Sequence, residues 1–232
     1  MRKLGVDIMN SKYSSLLTVL LVIVIIAIIG IIGFLGYRYY KNESLKNQSE
    51  DFVDSFLNDG SISNNNNNTN TSAGDVVFDG VDEGNTTGNS TISGNTPKYN
   101  GYETIGTIEI PATNVKQPIL ASSELSKSSL ETSVVEIYGP GLNQVGNTTI
   151  AGHNFRNGTF FSNNKKLNSG DKIYITDVSG KRLSYTIYNK YETDENDSEY
   201  MTRDTKGSIE ISLTTCTDDS KARLIIWAKA DV

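Results

Sequence analysis

The chain has 232 residues, with 21 Lys and Arg against 27 Asp and Glu, for a formal charge of −6. That balance excludes a basic nucleic-acid-binding domain, so no nucleic-acid partner is expected. A single Cys and a single His exclude an internal disulfide framework, a cysteine-based structural zinc site and a multi-histidine metal site.

The first pattern is a run of 21 positions, Leu16 to Gly36, with one hydroxyl and no charge. At 1.5 Å per residue a helix of this length spans about 31 Å, the thickness of a hydrocarbon core. It exceeds the ~7–15 apolar residues of a cleaved signal peptide, and Gly33-Phe34-Leu35-Gly36 is a poor cleavage site. Residues 16–36 are therefore expected to form a retained transmembrane signal-anchor. Arg2, Lys3 and Lys12 precede it, while Arg38, Lys41 and Lys46 follow. Charge alone thus does not decide the orientation, though the free amino terminus favours an inside N-terminus over residues 1–15. Tyr37, Tyr39 and Tyr40 suit the membrane–water interface.

Lys41 to Leu57 has the composition of a short juxtamembrane helix. From Asn58 to Thr96 the chain collapses into Asn, Ser, Thr, Gly and Asp, with an unbroken Asn run from Asn64 to Asn68. Such a segment cannot bury enough apolar surface to offset its chain entropy. Residues 37–97 are read as a juxtamembrane segment followed by a disordered tether.

From residue 98 to 232 short alternating runs recur: Thr104–Ile110, Gln117–Leu120, Val134–Tyr138, Thr148–Ala151, Lys172–Asp177, Leu183–Tyr188, Ser208–Thr214 and Arg223–Ala228. Ile173 and Ile175 face one way and Tyr174 and Thr176 the other, and turn residues such as Asn168-Ser169-Gly170-Asp171 separate the runs. Glu124 to Leu130 reads as one or two helical turns. Strands this short and regular predict an all-β domain, a closed or nearly closed barrel of about eight strands with short helices. The tether is expected to add nothing to its core.

The sole His is His153, in Ile150-Ala151-Gly152-His153-Asn154. The sole Cys is Cys216, in Leu213-Thr214-Thr215-Cys216-Thr217. Each ends an expected strand, and Arg223 opens the next. Singly these are ordinary residues, since a lone Cys in a strand is usually a small buried apolar side chain. Together they are the parts of acyl-transfer chemistry: a nucleophile, a base, and fixed donors for a developing oxyanion.

From about Tyr102 to Ala230 the chain resembles the sortase family of membrane-anchored cysteine transpeptidases. Ala151-Gly152-His153 is similar to the family's His motif. Leu213-Thr214-Thr215-Cys216 is similar to its TLxTC motif, with Ser212 where Thr is usual, and Arg223 stands where the family's Arg belongs. Gly158-Thr159-Phe160-Phe161 and the stretch Leu167 to Tyr174 agree as well. The resemblance implies an eight-stranded sortase-type β-barrel, a cytoplasmic N-terminus, and a catalytic domain (98–232) on the outer face of a Gram-positive membrane. It implies that Cys216 attacks the carbonyl between Thr and Gly of an LPxTG-like sorting signal and forms a thioester. His153 would act as acid and then base, Arg223 would steady the oxyanion, and Thr215 is a further candidate for shaping that site. The acceptor would be an amine of a peptidoglycan precursor or a pilin, and hydrolysis would be slow. Thr215-Cys216-Thr217 with the short loop to Arg223, and Gly152-His153-Asn154, look similar to class B, but the 63 positions from His153 to Cys216 leave no room for that class's extra helix and fit a compact class D or class A-like enzyme better. No aspartate–proline–aromatic lid motif precedes the domain, against the pilin-polymerising class.

Some relatives hold calcium on carboxylates in this part of the fold. Here that would draw on the acidic run Glu192–Glu199, chiefly Asp194, Glu195 and Asp197, together with Glu136. The reading adopted is a solvated charged loop with no metal and no cofactor, because Glu136 is the one carboxylate placed just ahead of the His strand. Two other readings stay open: a surface cysteine protease that only hydrolyses, and a non-enzymatic tethered adhesion or sensor module in which Cys216 is structural.

Overall fold

A computed structural model describes residues 3–59 and 96–232. The chain divides into two compact units, Met1–Gln48 and Ser49–Val232. Helix α1 runs Lys3–Asp59 and contributes to both. In the first unit its apolar stretch is long enough to cross a membrane, and none of its most apolar window is buried by protein. The separate short helix expected over Lys41–Leu57 is instead part of α1. Of the expected tether, residues 60–95 lie outside the described part of the chain.

The second unit contains nine strands: β1 (Lys98–Tyr99), β2 (Tyr102–Ile110), β3 (Val115–Leu120), β4 (Val134–Tyr138), β5 (Gly146–Ala151), β6 (Lys172–Asp177), β7 (Arg182–Asp194), β8 (Ile209–Cys216) and β9 (Ala222–Ala230). Their order is β1-β2-β3-β4-β5-β8-β9-β7-β6, and β6 pairs back onto β2. Strands β2 to β9 therefore close an eight-stranded barrel, as expected, and β1 is a two-residue addition at its edge. Closure removes the exposed edges that would otherwise template aggregation. The interior is filled from alternate positions: Ile108 and Ile110 of β2, Ile173 and Ile175 of β6, Tyr185 and Ile187 of β7, Ile211 and Leu213 of β8.

Two pairings are parallel, β3 with β4 and β5 with β8. A parallel pair brings two strand ends of the same polarity side by side, which requires long connections. The 57 positions between β5 and β8 hold β6, β7 and helix α3 (Glu199–Thr202). The shorter connection between β3 and β4 holds helix α2 (Lys127–Thr132), capped by reciprocal hydrogen bonds between Ser126 and Ser129.

Strand β7 continues six residues past the expected end at Tyr188. After a register shift between Ile187 and Asn189 it follows β9 as far as the pair Asp194–Ala222. Its later residues are mostly polar, so the strand is set by ladder hydrogen bonds with no apolar alternation to reveal it. The acidic run expected as a loop is consequently divided: Glu192 to Asp194 belong to β7, and Glu199 opens α3.

The last turns of α1, from Ser49, pack with the barrel. Val53 is fully buried. Phe52 stands edge-on to Tyr99 with ring centroids 5.1 Å apart, against the small cluster of Leu120 and Val135. Gln117 Nε2 donates to Ser49 Oγ at 3.0 Å, and Lys116 pairs with Asp54. The range 98–232 therefore does not contain every residue that packs on this barrel.

Candidate active site

The two parallel strands set the level at which the site is built. Ala151 of β5 lies opposite Thr214 of β8, and Gly152 N donates to Thr214 O at 3.1 Å. His153 and Cys216 therefore each lie two residues beyond a paired position, on strands that neighbour one another at about 4.8 Å. On the other side of β8 the antiparallel partner β9 places Arg223 directly opposite Cys216. The register alone thus brings the ends carrying all three residues to one rim of the barrel.

Gly152 has a steric reason. A Cβ there would lie 2.7 Å from the Phe161 ring and 2.9 Å from Val134 Cγ1. The missing side chain lets the strand end settle against the core just before His153 turns outward. His153 O then accepts from Phe161 N at 3.1 Å, and the imidazole lies against Phe155 with ring centroids 4.7 Å apart. Partial burial pushes the His153 pKa below its ordinary value. The negative charge of Glu131 on α2 opposes that shift, and Lys127 adds to it.

Cys216 is half-buried and is the free thiol of the chain. Arg223 Nη1 donates to Cys216 Sγ at 3.5 Å, so a fixed cation stands beside the sulfur. Thr215 is buried, and its Oγ1 has no hydrogen-bond partner among the described residues. Ser212, at the position where the motif usually has Thr, is fully buried and donates to Asn147 Oδ1 at 2.9 Å. It ties β8 to β5, and its hydroxyl also lies 3.4 Å from Tyr200 O of α3.

Between β8 and β9 the turn is tight. Ser220 N donates to Thr217 O at 2.9 Å, Thr217 N to Ala222 O at 3.0 Å, and Thr217 Oγ1 to Asp219 Oδ1 at 2.7 Å. Beside it opens a cleft of about 290 Å³, walled by Cys216, Thr215, Asp218, Asn154, Lys165 and Glu192 among others; His153 and Arg223 are not among its walls. Of these wall residues Asp218 and Lys165 escaped the sequence reading, and Asn154 entered it only as a neighbour of His153. Asn154 donates from Nδ2 to Cys216 O and to Asp218 Oδ1, both at 3.0 Å, and Lys165 pairs with Asp218. These contacts hold the Asp218 carboxyl below the usual carboxylate range, Lys165 contributing most. Only the position of Asn154 directly after His153 could have signalled it.

The calcium candidates are not brought into one group. Asp194 and Glu195 are exposed, and Asp194 Oδ1 accepts from Asn196 N and Nδ2. Asp197 accepts from Thr193 Oγ1 and Glu199 N, which lower its pKa. Glu136 is buried opposite Ile150 of β5, and burial raises its pKa. Among the described residues no three His, Cys, Asp or Glu side chains gather to hold a metal.

Comparison with known proteins gives one family. A Sortase domain model matches residues 108–231. Sortase A of Bacillus anthracis is 29% identical over 127 residues, covering 53% of this chain and 58% of that protein. The chain therefore spans a little over half the length of that relative. The structure of Sortase A from Corynebacterium diphtheriae, a lid mutant, superposes with a TM-score of 0.51 at 26% identity over 56% of this chain and 72% of its own. A Clostridium perfringens Sortase D5 transpeptidase gives 0.50 at 27% identity, over 56% of this chain and 80% of its own. Sortase C1 of GBS Pilus Island 1 gives 0.50 at 25%, over 56% of this chain and 65% of its own. These three structures, named as A, C and D types, superpose to a similar degree.

Proposed function

The chain belongs to the sortase family, and from that membership we propose that it is a membrane-anchored cysteine transpeptidase that sorts proteins to the cell wall. The N-terminus is cytoplasmic, α1 crosses the membrane, and the barrel works outside. Its donors are surface proteins ending in an LPxTG-like signal, and its acceptor is an amine of a peptidoglycan precursor or a pilin. The enzyme is of the compact class D or class A-like type and uses no cofactor.

The observation that best supports this reading is the β8–β9 register, which sets Arg223 opposite Cys216 with the guanidinium 3.5 Å from Sγ. In the reaction the Cys216 thiolate attacks the carbonyl carbon between Thr and Gly. The carbon–sulfur bond forms and the carbonyl oxygen takes negative charge, which Arg223 stabilises with fixed donors. Thr215 shapes the same oxyanion site. The C–N bond then breaks, and His153 delivers a proton to the departing amine. In the second step His153 removes a proton from the incoming amine, whose nitrogen attacks the thioester. The C–S bond breaks and a new amide is released. The covalent intermediate divides one difficult acyl transfer into two easier ones.

The test is to incubate the protein with a small library of LPxTG-like peptides, with and without an amine acceptor. The expected result is a thioester at Cys216 and an amine-dependent ligation product, absent in Cys216→Ala. Release of peptide as free acid, undiverted by amine, would make the protein a surface protease. No Cys216-dependent turnover at all would favour a tethered binding module.

A further inference from the structure

The β5–β8 ladder ends at the pair Ala151–Thr214, where Gly152 N donates to Thr214 O. Past that bond the His153 segment and the Cys216 segment leave the ladder separately. What joins them is a set of side chains. Asn154 Nδ2 reaches across to Cys216 O and to Asp218 Oδ1, each at 3.0 Å. The other end of the same amide is fixed, because Asn154 Oδ1 accepts from Arg156 N at 3.1 Å. Arg156 Nη2 in turn donates to Ser220 Oγ at 2.6 Å, and Lys165 holds the second oxygen of Asp218. The loop after His153 is thereby cross-linked to the whole β8–β9 turn, from Cys216 to Ser220.

The polarity of this arrangement admits few substitutes. Cys216 O and Asp218 Oδ1 are both acceptors, so the group between them must donate twice. A neutral amide does so through its two N–H bonds, and a carboxylate has none to offer. The same side chain must also accept from Arg156 N, which an amide oxygen does and an ammonium cannot. Asn at this position satisfies all three demands with the shortest side chain that carries both functions. Asn154 is half-buried and Asp218 half-exposed, so these bonds add little to global stability. Their consequence is geometric: they set the offset between two strand ends that no ladder bond fixes.

We propose that Asn154 is a positioning residue, a clamp that holds the Cys216 backbone and the β8–β9 turn at a fixed offset from His153 so that thiolate and imidazole meet the scissile amide together. The inference rests on the transpeptidase reading above. It assigns Asn154 no contact with substrate.

The experiment uses the full chain in detergent and compares the wild type with Asn154→Ala, Asn154→Asp and Asn154→Asp/Asp218→Asn. Because small misplacements of reacting groups cost up to about 100-fold, kcat in Asn154→Ala should fall about 10- to 100-fold while KM changes by less than about 3-fold. The alkylation rate of Cys216 should stay near wild type, since a small reagent needs the thiol but not its alignment with His153. Hydrogen exchange should rise in the 217–221 turn and stay unchanged in the barrel strands. Asn154→Asp should be the slowest variant, because it sets a carboxylate against Asp218. The double variant, which restores one bond with donor and acceptor reversed, should recover about 5-fold in kcat over that single variant. A kcat for Asn154→Ala within about 2-fold of wild type would overturn the clamp, as would exchange rising uniformly across the barrel. If the wild type ligates no peptide, the transpeptidase reading falls, and exchange in the 217–221 turn still decides whether the clamp exists.

Discussion

Replacing Phe52 with Ala tests whether the end of α1 is structurally part of the barrel unit. Phe52 is half-buried, edge-on to Tyr99 at 5.1 Å, 6.2 Å from Phe56, and packed on the cluster of Leu120 and Val135. A fully buried Phe→Ala change costs about 3–5 kcal/mol. Half-burial reduces this to about 2 kcal/mol, of which the aromatic pair with Tyr99 supplies about 0.5–1.5. For a unit of this size that lowers the melting temperature by about 4–8 °C. The assay is calorimetry on the full chain in detergent, with Ser55→Ala, on an exposed stretch of the same helix, as the comparison; it should shift stability by no more than about 0.5 kcal/mol. If Phe52→Ala melts within about 1 °C of wild type, the helix end does not dock and the cluster around Tyr99 closes without it.

Four further outcomes are expected. Arg223→Ala should lower kcat for peptide ligation by about 100-fold or more, with an unchanged melting temperature, because it removes donors from a developing oxyanion. Gly152→Ala should destabilise by about 1–3 kcal/mol, because the fully buried Phe161 ring cannot yield to a Cβ 2.7 Å away; thermal melting checks it. Asp231, whose pKa is lowered to about 2 by Lys172, then Thr186 and Ser184, contributes stability above the ordinary carboxylate pKa that is lost as pH falls through about 2. Asp231→Asn should therefore melt lower than wild type at neutral pH and match it below pH 2, by less than about 1 kcal/mol because the pair is half-exposed and screened. Calcium should change peptide kinetics no more than sodium at matched ionic strength; a several-fold activation lost on neutralising Asp194, Glu195 and Asp197 would refute this.

The barrel was legible because its strands advertise themselves by side-chain period. Ile173 and Ile175, or Ile211 and Leu213, alternate with polar neighbours because one face of each strand fills a closed interior. Two features had no such signal. The second half of β7 is polar apart from Tyr191, and only its pairing with β9 makes it a strand. The docking of the end of α1 was hidden because Phe52, Val53 and Phe56 are too few to mark a helix as belonging to a distant core; the partner residues Tyr99 and Gln117 lie 40 or more positions away in sequence.

The site shows the same division at finer scale. His153, Cys216 and Arg223 are ordinary singly and stand out only together, by their local sequences and chain order, and ladder register carries them to one rim. Asn154, Asp218 and Lys165 do not stand out, because Asn, Asp and Lys in loops are usual. Their arrangement appears only when two parallel strand ends lie side by side. Antiparallel β8 and β9 fix Cys216 against Arg223 through a continuous ladder and a short turn, so that pair needs no further support. Parallel β5 and β8 have no turn between them, and their offset beyond the last backbone bond is left to side chains. The proposed nucleophile and its electrostatic partner thus owe their juxtaposition to the ladder register. If the proposed mechanism and the Asn154 clamp hold, the alignment of nucleophile with acid and base depends on a few polar bonds outside the ladder, and there a single conservative substitution should separate folding from catalysis.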